Sequence, residues 1–173
     1  MKLDLGCGTR RHHPDAIGID KLDLREYHPE GKFMQADLND TFIWKELLWD
    51  GTNKPNVDEV WATDILEHLD DFVKVMEAIW DVCVNGAKVH ILVPHEKSEW
   101  AWGDPTHKRA FNEWTFRFFK KGNLVNGTRY GFLCDFNILE NCRYKDIYLK
   151  VELEVVKPCR WDKVKHFDKF GGG

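Results

Sequence analysis

The stretch that most constrains this chain is its opening, Leu3-Asp4-Leu5-Gly6-Cys7-Gly8, followed shortly by Gly18-Ile19-Asp20. A short apolar run, a glycine turn and a second apolar run closed by a carboxylate read as two parallel strands of an α/β sheet. Such a sheet binds ligands beyond the carboxyl ends of its strands. The segment between Gly8 and Asp20 is too short for a normal crossover helix, so Thr9–Asp15 is expected to hold at most one or two helical turns.

The rest of the chain repeats the alternation. Strands are expected at Lys2–Leu5, Ala16–Asp20, Lys32–Ala36, Val57–Thr63 and Lys88–Val93, the last closed by Pro94. Asn39–Asn56 carries Trp44, Leu47, Leu48 and Trp49 at helical spacing. Asp64–Cys83 is the best amphipathic pattern, with Ile65, Leu69, Phe72, Val75, Met76, Ile79 and Val82 on one stripe and Asn85-Gly86 as its stop. A short helix capped by Asn112 is expected at Asn112–Phe119. The β-rich runs Tyr130–Leu139 and Asp146–Lys157 then form an antiparallel pair. The expected fold is a doubly wound, mostly parallel α/β sheet with a shortened first crossover. Residues 1–170 read as a single domain and 171–173 as a flexible glycine tail.

Composition excludes several classes. No run approaches the ~18 uncharged apolar residues of a membrane span, and MKLDLGCG does not read as a signal peptide. Five cysteines without a CxxC pair point to a reduced, cytoplasmic protein with no structural zinc knuckle. A net charge of −4 argues against indiscriminate nucleic-acid binding. A monomer or homodimer is expected.

The glycine turn departs from the dinucleotide fingerprint. Arg11 stands where a third glycine is needed, and Asp20 comes well before the ~20-residue spacing of the ribose acid. A ligand without phosphate suits this turn better. "LDLGCG", "GID", "QADL" (Gln35–Leu38), "VDEVWATDILEHL" (Val57–Leu69) and "NGAKVHILVP" stand in the order of the motifs of class I S-adenosylmethionine-dependent methyltransferases, and the chain resembles that family, type 11 members included. The resemblance implies a seven-stranded sheet and S-adenosylmethionine as cofactor. It also implies cofactor-binding roles for Asp4, Gly6, Cys7, Gly8, Asp20, Lys21, Asp37, Leu38, Thr63 and Asp64. Asp20 would accept the ribose hydroxyls, Asp37 an adenine N–H, and Leu38 and Leu22 would form apolar walls. Asp4 and the free amides of the glycine turn would meet the methionine part.

Two stretches carry candidate acceptor chemistry. If Asp64–Leu69 is helical, Asp64, Glu67 and His68 share a face. Asp104–Phe119 brings His107 and Arg109 after a proline turn. Methyl transfer from an activated sulfonium needs positioning and, for an oxygen or nitrogen acceptor, a base. His107 is the first candidate, His68 the second and His95 the next. Asp64, Glu67, His68 and His107 would be the ligands if a divalent metal were used, although the metal-free version is favoured. Trp100 and Trp102 read as core anchors of their loop more readily than as a lid. The expected function is methylation of oxygen or nitrogen in a small molecule or glycan. The alternatives are a metal-assisted enzyme similar to RNA 2′-O-methyltransferases, with RNA as partner, and a catalytically silent cofactor-binding module.

Overall fold

The computed structural model describes residues 1–47, 55–122, 131 and 133–157. Seven strands form one sheet: β1 (Lys2–Leu5), β2 (Ile17–Asp20), β3 (Phe33–Gln35), β4 (Val57–Thr63), β5 (Cys83–Pro94), β6 (Phe136–Tyr144) and β7 (Tyr148–Val155). Their order is β3-β2-β1-β4-β5-β7-β6. β1 to β5 run parallel, while β7 joins β5, and β6 joins β7, antiparallel. The parallel register places Leu5 beside Ile19 and Ala62, and Thr63 beside Leu92. The ends of β1, β2 and β4 therefore lie in one row, with Gly6, Asp20 and Asp64 at or just beyond them.

The described residues form three α-helices: α1 (Thr41–Leu47), α2 (Phe72–Val82) and the single turn α3 (Trp100–Gly103), the last in a stretch expected to be a loop. α2 is capped by Asp71, whose side chain accepts from the Lys74 N–H at 3.1 Å. It buries Phe72, Val75, Met76, Ile79, Trp80 and Val82. Ile43, Trp44 and Leu47 of α1 join those side chains, and both sets meet Leu3, Leu5, Val60, Ala62, Val89, Ile91, Val151 and Leu153 of the sheet in one core. That is the face α1 and α2 cover.

The opposite face is polar. Along β4, β5 and β7 the outward row reads Glu59, Trp61, Thr63; Lys88, His90, Leu92; Lys150, Glu152, Glu154, all half-buried. Its charges pair across strands: Lys88 with Glu154 at 2.6 Å, Lys150 with Glu140 at 2.7 Å, Lys2 with Glu59 at 2.9 Å. Trp61 stacks between the rings of His13 and His90 at 5.2 and 5.3 Å. The second helical layer of a doubly wound sheet is thus missing among the described residues. The reason is local: Thr9–Asp15 contains no helix, as its length required, and the β2–β3 connection holds only a 3-10 turn, Arg25–Tyr27.

Other expectations shift. The long helix expected from Asp64 begins only at Phe72. Asp64 adopts φ +49°, and its N–H donates to the Leu92 carbonyl at 2.9 Å. A residue in the left-handed region cannot open a helix, so Leu66–His68 forms a 3-10 turn and Leu69 is extended. Asn85-Gly86 does not stop α2; they lie inside β5, which starts at Cys83. The element after Asn112 is a 3-10 turn, Thr115–Phe119, whose cap position is Trp114 rather than Asn112; the Asn112 side chain instead closes the preceding turn, accepting from the Trp114 and Thr115 N–H groups. β6 ends at Tyr144, later than its apolar pattern implied, because the sheet edge tolerates the polar run Glu140–Arg143. Lys145 and Asp146, both at positive φ, turn it into β7. The second half of the Asn39–Asn56 pattern, Tyr130, Cys159 and the glycine tail lie outside the described residues.

Candidate active site

Two cavities open at the carboxyl end of the sheet and share Asp64, His68 and Pro105. The first, about 640 Å³, is lined by Gly6, Asp20, Lys21, Asp37, Leu38 and Ile65. Six of the residues expected to bind cofactor therefore line one space: Gly6, Asp20, Lys21, Asp37, Leu38 and Asp64. Gly6 has φ +63°, and a Cβ there would stand 2.7 Å from Ile65, so glycine is what lets the β1 turn and the β4 loop approach.

Asp20 accepts the Gly8 N–H and the Leu22 N–H, one on each oxygen at 3.0 Å. Each oxygen retains a second lone pair for a hydroxyl. Asp37 is exposed at the cavity edge and Leu38 is buried beneath it.

The remaining expected residues sit elsewhere. The carboxylate of Asp4 is wholly buried and accepts from the His12 N–H and ring, so it braces the turn. The turn's amides are not free as expected: those of Gly6 and Cys7 donate to the Ile19 carbonyl, and that of Gly8 to Asp20. Cys7 packs its buried sulfur over Gly18, and burial pushes its thiol up to about 12. Thr63 lines a separate hollow on the polar face with Trp61 and His90, because alternate residues of β4 point to opposite sides.

The second cavity, about 720 Å³, is lined by Glu67, Glu99, Trp100, Asp104, His107 and Tyr148 besides the shared residues. Its floor is built from the Leu66–His68 turn. That turn is tied to the following loop by Lys108 N–H to the Glu67 carbonyl at 2.7 Å, and Arg109 donates to the Asp70 carbonyl at 2.8 Å. Although Asp64, Glu67 and His68 do not share a helix, the loop brings Glu67, His68 and His107 together, with ligand atoms all within 4.8 Å. Asp64 lies outside that group.

Glu67 is only 1% exposed, and neither carboxylate oxygen has a hydrogen-bond partner. Burial raises its carboxyl to about 7. His107 Nε2 is 4.0 Å from it, beyond hydrogen-bond reach. Burial likewise raises Asp64, although the two histidines oppose the shift, and it lowers His68, helped by His107. The His68 and His107 rings meet edge-on at 4.7 Å.

His95, the third candidate base, is absorbed by structure. Its Nδ1 accepts the Lys97 N–H, which leaves Nε2–H to Glu113 at 3.3 Å. Trp100 and Trp102 are 61% and 71% exposed, which overturns their assignment to the core. They stand on α3, with Trp100 forming part of the cavity wall. Sequence reasoning missed Tyr148, Glu99 and the part played by Thr106. Tyr148 arrives from the far end of the chain through the Pro94–Tyr148 pairing and left no local signal. Asp104-Pro105-Thr106 did signal a turn: the Asp104 carboxylate accepts the Thr106 N–H at 2.8 Å.

No family model and no curated protein sequence matches this chain. Solved structures do. The Haloferax volcanii protein complexed with the Trm112 methyltransferase activator superposes with a TM-score of 0.63 at 15% identity, over 90% of this chain and 82% of that one. An S-adenosylmethionine-dependent methyltransferase from Archaeoglobus fulgidus gives 0.59 at 17%, over 88% and 85%. The N-methyltransferase NodS from Bradyrhizobium japonicum, solved with S-adenosylhomocysteine, gives 0.56 at 12%, over 89% and 76%. The chain has the fold of the class I S-adenosylmethionine-dependent methyltransferases. Among the described residues no helix is long and apolar enough to cross a membrane.

Proposed function

We propose that this protein is an S-adenosylmethionine-dependent methyltransferase that methylates an oxygen or nitrogen of a small molecule or glycan. The observation that carries the reading is the pair of cavities meeting at Asp64, His68 and Pro105: one suits a nucleoside, the other lies open to an acceptor.

The residues of the first cavity fit the cofactor. Asp20 would hold the ribose hydroxyls, Asp37 the adenine amino group and Leu38 its ring, while Gly6 leaves room that any side chain would fill. Lys21 and Asp64 line the same space, and Asp4 and Cys7 act through the turn they hold. When bound, the cofactor supplies a methyl group on a positively charged sulfur. The chain's own contribution is to seat the acceptor against that methyl and take up its proton. The chain would hold the acceptor in line with that methyl, and its proton would pass to His107 or His68.

The second cavity favours a small acceptor over RNA. Asp64, Glu67, Glu99 and Asp104 line it, and its described lining residues include neither lysine nor arginine, so a phosphate backbone would be repelled there. Trp100 and Tyr148 offer flat faces to a ring.

Calorimetry with S-adenosylhomocysteine and NAD tests the cofactor, and transfer of a labelled methyl group to a size-fractionated small-molecule extract tests turnover. Binding of S-adenosylhomocysteine with label in a low-molecular-weight product is expected. Cofactor binding without any labelled product would leave a silent binding module, and label in RNA would overturn the acceptor class.

A further inference from the structure

Glu67, His68 and His107 leave a problem that the methyl-transfer reading does not resolve. A buried carboxylate with both oxygens unsatisfied is strongly disfavoured when ionised, and the side chain beside it is too distant to hydrogen-bond. Protonating Glu67 removes the charge but not the unmet hydrogen bonds, because its O–H would still find no acceptor within reach.

The imidazoles show what the carboxylate faces. Thr106 Oγ1 lies 2.6 Å from Asp104 Oδ1, and the carboxylate can only accept, so the hydroxyl proton goes there. Thr106 Oγ1 must then accept from His68 Nδ1–H at 3.0 Å. His107 Nδ1 lies 3.3 Å from the Ala101 carbonyl, which also only accepts, so that nitrogen carries its proton too. In their neutral forms both rings keep the lone pair on Nε2. Each therefore has its donor nitrogen held by an outer group and its other nitrogen available, which is the arrangement of metal-ligating histidines.

The geometry points to a divalent-cation site formed by Glu67, His68 and His107, with its remaining positions open to the acceptor cavity. Ligand bonds of ~2.1 Å in tetrahedral array put ligand atoms about 3.4 Å apart, so the Glu67–His107 pair at 4.0 Å closes by about half an ångström and the widest pair, within 4.8 Å, by no more than roughly 1.4 Å. Two imidazoles and one carboxylate select a first-row transition ion of the manganese-to-zinc series over magnesium or calcium, which prefer all-oxygen sites. Asp64, outside the cluster, is left to the cofactor side. Within the proposed methyltransferase, on which this role alone depends, the ion would make the acceptor an oxygen and would take over the part of the base: with the Nε2 lone pairs of His68 and His107 committed to it, it would bind a hydroxyl and ease loss of its proton to solvent.

The test is titration of the whole, chelator-treated protein with Co²⁺, followed by its visible absorption and by calorimetry. One saturable site with micromolar or tighter affinity and the intense bands of a low-coordinate cobalt centre are expected. Glu67→Gln should weaken binding on the order of a hundredfold, and Thr106→Val, which frees His68 to rotate, by about tenfold. Should Glu67→Gln fail to fold, His107→Gln replaces it, with circular dichroism as the check. No saturable Co²⁺ binding in the wild type overturns the site, as does binding that both ligand variants retain within a factor of three. S-Adenosylhomocysteine binding is measured on the same samples. Its loss with Co²⁺ binding intact would sink the methyltransferase reading and leave the cation site standing.

Discussion

Gly6 and Gly8 flank one buried cysteine and have nearly the same backbone conformation, φ +63° and +54°, yet their surroundings differ. A Cβ on Gly8 meets nothing within 4 Å; on Gly6 it meets three atoms of Ile65 at 2.7 to 2.8 Å. Gly8→Ala should therefore cost only the left-handed strain, about 1–2 kcal/mol. Gly6→Ala pays that strain and a contact no Cβ tolerates, for which ~1–3 kcal/mol of overpacking is typical, so about 2–5 kcal/mol in all. Trimming Ile65 cannot relieve the clash fully, because its own Cβ is among the atoms struck. Urea unfolding of the two variants, with unchanged slopes, measures the difference directly. The two alanines costing the same within ~0.5 kcal/mol, or Gly8→Ala costing more, would refute the claim that close approach of the turn to the β4 loop fixes glycine at position 6.

Asp20→Ala should weaken S-adenosylhomocysteine binding by ~2–4 kcal/mol in calorimetry, since charged hydrogen bonds to the ribose are lost; unchanged affinity would remove Asp20 from the site. Trp100→Ala, acting on an exposed ring, should leave the melting temperature and cofactor affinity alone and raise the KM of the acceptor by about tenfold. A fall in stability would return Trp100 to the core. Asp71→Ala should cost about 1 kcal/mol through loss of the α2 cap, read from the shift of the urea midpoint. His95→Ala should destabilise the fold by ~1–3 kcal/mol, because Glu113 and the Lys97 N–H lose their partner, yet leave cofactor affinity unchanged.

The lining of the first cavity was legible because its signals are local. Gly6, Asp20 and Asp37 each stand at a strand end that the apolar runs mark, and parallel pairing brings such ends together. The lining of the second cavity was legible in its residues and misread in its geometry. Helical spacing grouped Asp64, Glu67 and His68 on one face, but the Asp64 N–H is taken by β5, and that contact, distant in sequence, converts the helix start into a turn. His107 still meets Glu67 and His68, held by Lys108 rather than by helical periodicity. Thr63 failed for a simpler reason: the period-two alternation of β4 puts it on the other side from Ala62. The tryptophans failed because apolar character alone does not say which side of a loop is wet.

The open face of the sheet bears on how the last hairpin finds its place. In β7, Leu149, Val151, Leu153 and Val155 enter the core while Lys150, Glu152 and Glu154 point outward. Sliding β7 by one residue against β5 would push that charged row into the hydrocarbon and strand the apolar row in water. A slide by two keeps the inside right but separates Lys88 from Glu154, its present partner. The polar side, with its paired charges, thus works as a second key: it distinguishes alignments that the core alone would accept, and among the described residues it does so without a helix to hold the strand in place.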